Sequence, residues 1–265
     1  MAILSSATFA FEPLIIAHRG ASADAPENTL AAFRLAWEQG ADGIEGDFRL
    51  CADGHIVCIH DKDTERTGRA KLTVSKSKLA DLRALDVGVW KHPDFRKERI
   101  ATLPEVLAEL PDGKLFFVEI KSGAEIMASL RRDISAAIKA RPGLASQLVF
   151  IAFDKAVVAA CRATWPEIKA NWLVGFKQDK ATRGWSPSAG EVLRTARGAK
   201  ASGVGVSDVP EVVGDAFVKK LRAAGIEPHC WTVNEAKPAR RLRDLGVSSI
   251  TTDVPAKVRG WVAEP

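Results

Sequence analysis

The sequence is poor in patterned cysteine, in long apolar runs and in clustered charge, and each shortage removes a class of protein. Its four cysteines, Cys51, Cys58, Cys161 and Cys230, form no C-x-x-C pair and no set with histidine at zinc spacing. Neither a disulfide framework nor a zinc module is supported, and a reduced, cytoplasmic compartment is the expectation. No apolar run approaches the length of a membrane span, so no stable membrane insertion is expected. The N-terminal MAILSSATFAFEPLII lacks a basic start and is interrupted by Glu12-Pro13, so no signal peptide is expected either. RNP-type aromatic motifs and basic arms are missing, which argues against nucleic acid. Lys and Arg number 38 against 33 Asp and Glu, a net charge of +5. The densest basic patch, Arg240-Arg241-Leu242-Arg243, lies in a helical pattern and is most simply a solvated face. A mild positive field of this kind helps draw in an anionic small molecule.

What is present is a chain of 265 residues, 46% hydrophobic and 27% charged, ordinary for one α/β barrel or one doubly wound sheet. Apolar β-rich runs at 14–18, 43–49, 55–60, 115–121, 148–153, 169–175, 204–208, 228–233 and 248–252 alternate with helical periodicity. Asn28 to Gln39 places Leu30, Phe33 and Trp37 on one helical face before the stop signal Gly40. Thr102-Leu103-Pro104-Glu105 is a capping box opening a short helix to Leu110. The link Leu50-Cys51-Ala52-Asp53-Gly54 is too short for a helical crossover, so 55–60 should fold back antiparallel on 43–49. Eight strands in βα succession then remain, the number of a TIM (β/α)₈ barrel. Residues 61–101 are polar, basic and turn-rich without a second core of domain size. They are expected to form an inserted subdomain or lid within a single catalytic domain spanning 1–265, and to shape substrate choice more than chemistry.

Charged groups gather at the C-terminal ends of these strands. Glu45 and Asp47 stand two apart on one strand and so point to one side, with Cβ atoms roughly 7 Å apart. Glu119 and Lys121 repeat that spacing on another strand, and His18, Arg19 and His60 end two more. A bare ring of Glu45, Asp47 and Glu119 would repel itself, and three converging carboxylates suit a hard divalent cation, Mg²⁺ or Ca²⁺. The plainer reading pairs each acid with a lysine or arginine. Arg19 and Lys121 add positive charge suited to phosphate. A cation, two basic side chains and two histidines together describe a site for cleaving a phosphate ester.

The segments HRG (18–20), ENT (27–29), GADGIEGD (40–47), DGHIVCIHD (53–61), TLPEVL (102–107), VEIK (118–121) and TTDVP (251–255) resemble the glycerophosphodiester phosphodiesterase family over nearly the whole chain. The resemblance implies a TIM barrel that hydrolyses glycerophosphodiesters to glycerol 3-phosphate and an alcohol. It implies His18 and His60 as acid and base, Glu45, Asp47 and Glu119 as metal ligands, and Arg19 and Lys121 on phosphate. It also implies that Asn28 supports the site and that Trp231, in CWTVN, packs against substrate. Two departures stand out: Gly46 lies between the acids where the family usually has an apolar residue, and Ala152 precedes Phe153-Asp154 where serine is common. His55, His92 and His229 carry no motif and are expected to be structural. The same groups also suit a lysophospholipase D-type reaction on lysophospholipids. A barrel lyase or aldolase with Lys121 as Schiff base is the reading from another class, and a non-catalytic phosphate-binding barrel is a fourth.

Overall fold

The computed structural model describes residues 12–264. The expectation about a signal peptide falls mainly on residues 1–11 and lies outside the described residues. Among the described residues eleven strands form. They are β1 (Leu14–Ala17), β2 (Gly43–Leu50), β3 (Ile56–Cys58), β4 (Leu115–Ile120), β5 (Leu148–Ala152), β6 (Lys169–Val174), β7 (Lys177–Gln178), β8 (Trp185–Ser186), β9 (Gly203–Ser207), β10 (Glu227–Trp231) and β11 (Ser249–Thr252). Strands β1, β2, β4, β5, β6, β9, β10 and β11 pair in parallel in that order, and β1 closes the ring by pairing with both β11 and β2. This is the eight-stranded parallel barrel with outer helices that the sequence predicts. Strand β3 returns antiparallel on β2, Phe48 opposite Cys58, as the short Asp53-Gly54 link requires.

Period-two alternation explains why the strands read as continuous apolar runs: both of their faces are covered. On β4, Phe116, Val118 and Ile120 face the helices, and Phe116 packs against Phe33 and Phe48 at ring separations of 6.4 and 5.7 Å. Its alternate residues, Phe117 and Glu119, face the barrel interior. There Phe117, Ile16, Val149, Ile151 and Leu173 form a separate apolar cluster. That cluster plugs the lower barrel and leaves the strand ends above it free for polar groups.

The first helix spans Leu30–Glu38, with Thr29 as N-cap accepting from the Ala32 N–H at 3.2 Å. It starts two residues later than its apolar spacing predicts, because Asn28 has φ 60° and cannot continue a right-handed helix. The capping box forms, Glu105 Oε2 accepting from both the N–H and the hydroxyl of Thr102 at 2.8 Å, but the helix ends at Ala108. Residues 61–101 contain short helical turns, among them Glu65–Gly68 and Leu79–Arg83. Val74, Leu82, Val87 and Ile100 pack with Val57 and Ile59 of the hairpin into a small satellite cluster. The β7–β8 ribbon is absent from the predicted elements, because two residues per strand are too few to show a period. Its turn is built by Asp179 Oδ1, which accepts from the N–H groups of Ala181 and Thr182 and from the Thr182 hydroxyl.

Candidate active site

The backbone at the end of β1 turns sharply, and three residues of this loop lie in the left-handed region. Gly20 has φ 80°, and a Cβ there would sit 2.5 Å from the backbone carbonyl carbon of Ala32. Only glycine fits that contact. Arg19 (φ 56°) is not glycine, and its strained backbone points its N–H at Glu45 Oε2, 2.9 Å away. Its guanidinium reaches Glu27 Oε1 through Nη1 at 2.8 Å and Asp47 Oδ2 through Nε at 3.2 Å. Asn28 donates to Asp47 Oδ2 at 2.8 Å and accepts the Asp47 N–H at 3.0 Å, which fixes that carboxylate.

Glu45, Asp47 and Glu119 are all buried, and one oxygen of each lies within 4.8 Å of the others. Lys121 Nζ sits 2.7 Å from Glu119 Oε1 and 3.1 Å from Asp47 Oδ1. Glu45 Oε1 is buried without a hydrogen-bond partner. Burial, then the charges of Asp47 and Glu119, push the Glu45 carboxyl well above the usual carboxylate range. A divalent cation among the three oxygens reverses that balance by favouring the ionised form and giving the bare oxygen a partner. The donor set is therefore suited to such an ion. Burial opposes ionisation of Lys121, but Asp47 and Glu119 outweigh it and raise its pKa. A lysine so held is a poor Schiff-base nucleophile.

The two histidines face the same cavity, each with a carboxylate behind it. His18 Nδ1 is 2.7 Å from Asp253 Oδ1, and His60 Nδ1 is 2.8 Å from Asp61 Oδ1. Such a partner keeps the proton on Nδ1 and leaves Nε2 for chemistry. Ser22 and Asn234 also donate to Asp253, at 2.8 and 2.6 Å. Burial works against the charge of Asp253, but these donors and His18 outweigh it and hold its carboxyl at about 2, against an ordinary 3.8. A depressed acid contributes stability above its ordinary pKa and loses it as pH falls through the depressed one. Asp253→Asn is accordingly expected to lower the thermal midpoint at neutral pH, with the difference from the parent shrinking toward zero near pH 2. A difference that persists undiminished in acid would show that the ionised carboxylate is not its source. Burial lowers the pKa of His60, Asp47 and Asp61 opposing it only in part.

The cavity above these groups is a cleft of about 160 Å³. His18, Arg19, Glu45, His60, Glu119 and Lys121 line it together with Phe153 and Trp231, whose rings are 5.6 Å apart and edge to face, with Lys121 Nζ 5.8 Å from the centre of the Phe153 ring. Asp47, against Arg19 and Lys121, and its partner Asn28 are buried behind that lining. All nine residues singled out in the sequence are thus in the cleft or directly behind it. The residues lining the cleft include none from 62–101. Glu27, Asp61, Asp253 and Asn234, which hold the site residues in place, were not singled out. Each lies within a quoted motif, so adjacency to a site residue was the available signal. His55 and His92 stay apart from the cleft, and His229 lines it while its Nδ1 pairs with Ser249 Oγ at 2.8 Å. Gly46 is explained by packing: a Cβ there would meet Phe33, Phe48 and Cys58 at 3.1–3.3 Å, because those larger neighbours already fill the space.

A parallel barrel with converging carboxylates, two carboxylate-backed histidines and two cations at its C-terminal mouth defines a phosphoric ester hydrolase of the metal-assisted kind. The model of the Glycerophosphoryl diester phosphodiesterase family matches residues 18–257, and the chain belongs to that family. A Mycobacterium tuberculosis protein named probable glycerophosphodiester phosphodiesterase 1 is 34% identical over 268 residues, covering 95% of this chain and 93% of that one. A glycerophosphodiester phosphodiesterase of Caldanaerobacter subterraneus is 33% identical, covering 91% and 94%. Among solved structures, an Oleispira antarctica phosphodiesterase in complex with the product sn-glycerol-3-phosphate superposes with a TM-score of 0.78 at 27% identity, covering 96% and 98%.

Proposed function

We propose that this enzyme hydrolyses glycerophosphodiesters to sn-glycerol 3-phosphate and the free alcohol, using the groups gathered at the barrel mouth. The observation that carries the reading is the Glu45–Asp47–Glu119 cluster gathered beside two histidines at one cleft. Glu45, Asp47 and Glu119 hold the divalent cation, Mg²⁺ or Ca²⁺, which when bound supplies positive charge for the phosphoryl oxygens. Asn28 fixes Asp47 for that task. Arg19 and Lys121 contact the phosphate, and Trp231 with Phe153 packs against the carbon skeleton of the substrate. His60, whose pKa burial lowers, removes the proton of the attacking group. That group is either water itself or the glycerol 2-hydroxyl, whose cyclic phosphate water then opens to sn-glycerol 3-phosphate. His18 then protonates the departing alcohol oxygen, its ring held through Nδ1 by Asp253.

The chain acts as a single catalytic domain with 61–101 inserted after the hairpin. A cytoplasmic setting, with products feeding glycerol and lipid metabolism, suits four cysteines that are all free and buried. Among the described residues no helix is long and apolar enough to cross a membrane.

The half-exposed Phe153 at the cleft rim is the feature that favours the second reading, a lysophospholipase D-type reaction. The two are separated by assaying glycerophosphocholine, glycerophosphoethanolamine and lysophosphatidylcholine side by side. Faster cleavage of the two water-soluble diesters is the expected result. A preference for lysophosphatidylcholine would overturn the primary reading in favour of the second.

A further inference from the structure

The 61–101 segment contributes no side chain to the cleft lining, yet two of its residues, Asp61 and Arg66, support the site from behind. Arg66 lies in the helical turn Glu65–Gly68. Its Nε donates to Asp61 Oδ2 at 2.7 Å, while Nη1 and Nη2 donate to Glu27 Oε2 and Oε1 at 2.6 and 2.8 Å. Each acid is bound in turn to a residue of the cleft. Asp61 Oδ1 holds His60 Nδ1 at 2.8 Å, and Glu27 Oε1 accepts from Arg19 Nη1 at 2.8 Å. One planar guanidinium therefore ties two carboxylates that orient two different site residues. A half-exposed arginine on two acids would ordinarily contribute little to stability. Here its value lies in geometry, since a fork with fixed N–H directions holds both carboxylates where a lysine point charge cannot.

We infer that Arg66 is a positioning residue for the reaction, setting the ring of His60 through Asp61 and the head group of Arg19 through Glu27. The inference rests on the roles proposed above for His60 and Arg19. Outer partners of this sort typically change function by about 10- to 100-fold when removed. Burial of Glu27 opposes its ionisation, but Arg66 and Arg19 outweigh it and keep the carboxyl below the usual range, so the bridge is charged at neutral pH.

A double-mutant cycle tests it, because coupled residues lose additivity and independent ones keep it. Arg66→Gln is expected to lower kcat on glycerophosphocholine by about 10- to 100-fold and to weaken inhibition by sn-glycerol 3-phosphate. In a His60→Ala background the further loss in kcat should shrink to less than about threefold, and in an Arg19→Ala background the weakening of product inhibition should shrink likewise. Arg66→Lys, which keeps the charge and guards against a folding defect, should retain the thermal midpoint without recovering kcat. Losses of equal factor in the parent and in these backgrounds, or full recovery by lysine, overturn the inference. Failure of the underlying roles would show earlier and separately, as normal activity in His60→Ala or Arg19→Ala themselves.

Discussion

His18→Ala and His60→Ala are each expected to slow hydrolysis of glycerophosphocholine by about 10² to 10⁴-fold, the usual worth of a positioned proton donor or acceptor. The roles differ, and leaving-group chemistry separates them. Choline leaves as a poor alkoxide and needs a proton, whereas p-nitrophenolate barely does. On a p-nitrophenyl phosphodiester, His18→Ala should therefore recover much of its rate while His60→Ala stays slow. The proposed assignment of His60 as base rests on its environment. Burial lowers its pKa, so it is neutral and able to accept a proton at neutral pH. His18 Nδ1 is held by Asp253 Oδ1 at 2.7 Å, which leaves Nε2 for the departing oxygen. The reverse pattern, with His60→Ala rescued and His18→Ala not, would exchange the two roles. Near-normal rates for both variants on glycerophosphocholine would remove the pair from the chemistry.

Chelation is expected to have an effect as large. EDTA should abolish turnover, and Mg²⁺ or Ca²⁺ should restore it. Without a cation, Glu45, Asp47 and Glu119 crowd three buried carboxylates within 4.8 Å, with Lys121 and Arg19 as the positive charges set against them. Glu45→Gln removes one negative ligand and is expected to weaken cation binding by at least about tenfold, read by calorimetric titration of the chelated protein. The variant should not lose thermal stability before the cation is added, because neutralising Glu45 relieves repulsion from Asp47 and Glu119. Full activity in exhaustively chelated protein would sink the metal assignment.

Most of this site was legible because strand periodicity and strand ends are local properties. Glu45 and Asp47 had to share a side once β2 was recognised, and Glu119 and Lys121 likewise at the end of β4. The hairpin followed from five linking residues. What escaped the sequence were contacts closed by the barrel between distant residues. His18 meets Asp253 across 235 positions, and no periodicity reports that pairing. Arg66 was hidden differently: it sits in a segment whose polar composition suggested a lid, and its partners Glu27 and Asp61 are set by how that segment folds back. The helix start at Leu30 was misplaced by two residues because the left-handed conformation of Asn28 is imposed by its bonds to Asp47, a tertiary constraint.

The most direct measurement is ³¹P NMR of the products formed from glycerophosphocholine by purified protein with Mg²⁺ or Ca²⁺ present. Cleavage by this site is expected to yield sn-glycerol 3-phosphate as the phosphorus-containing product, with choline released. Accumulation of phosphocholine instead, or no turnover with either cation, would contradict it.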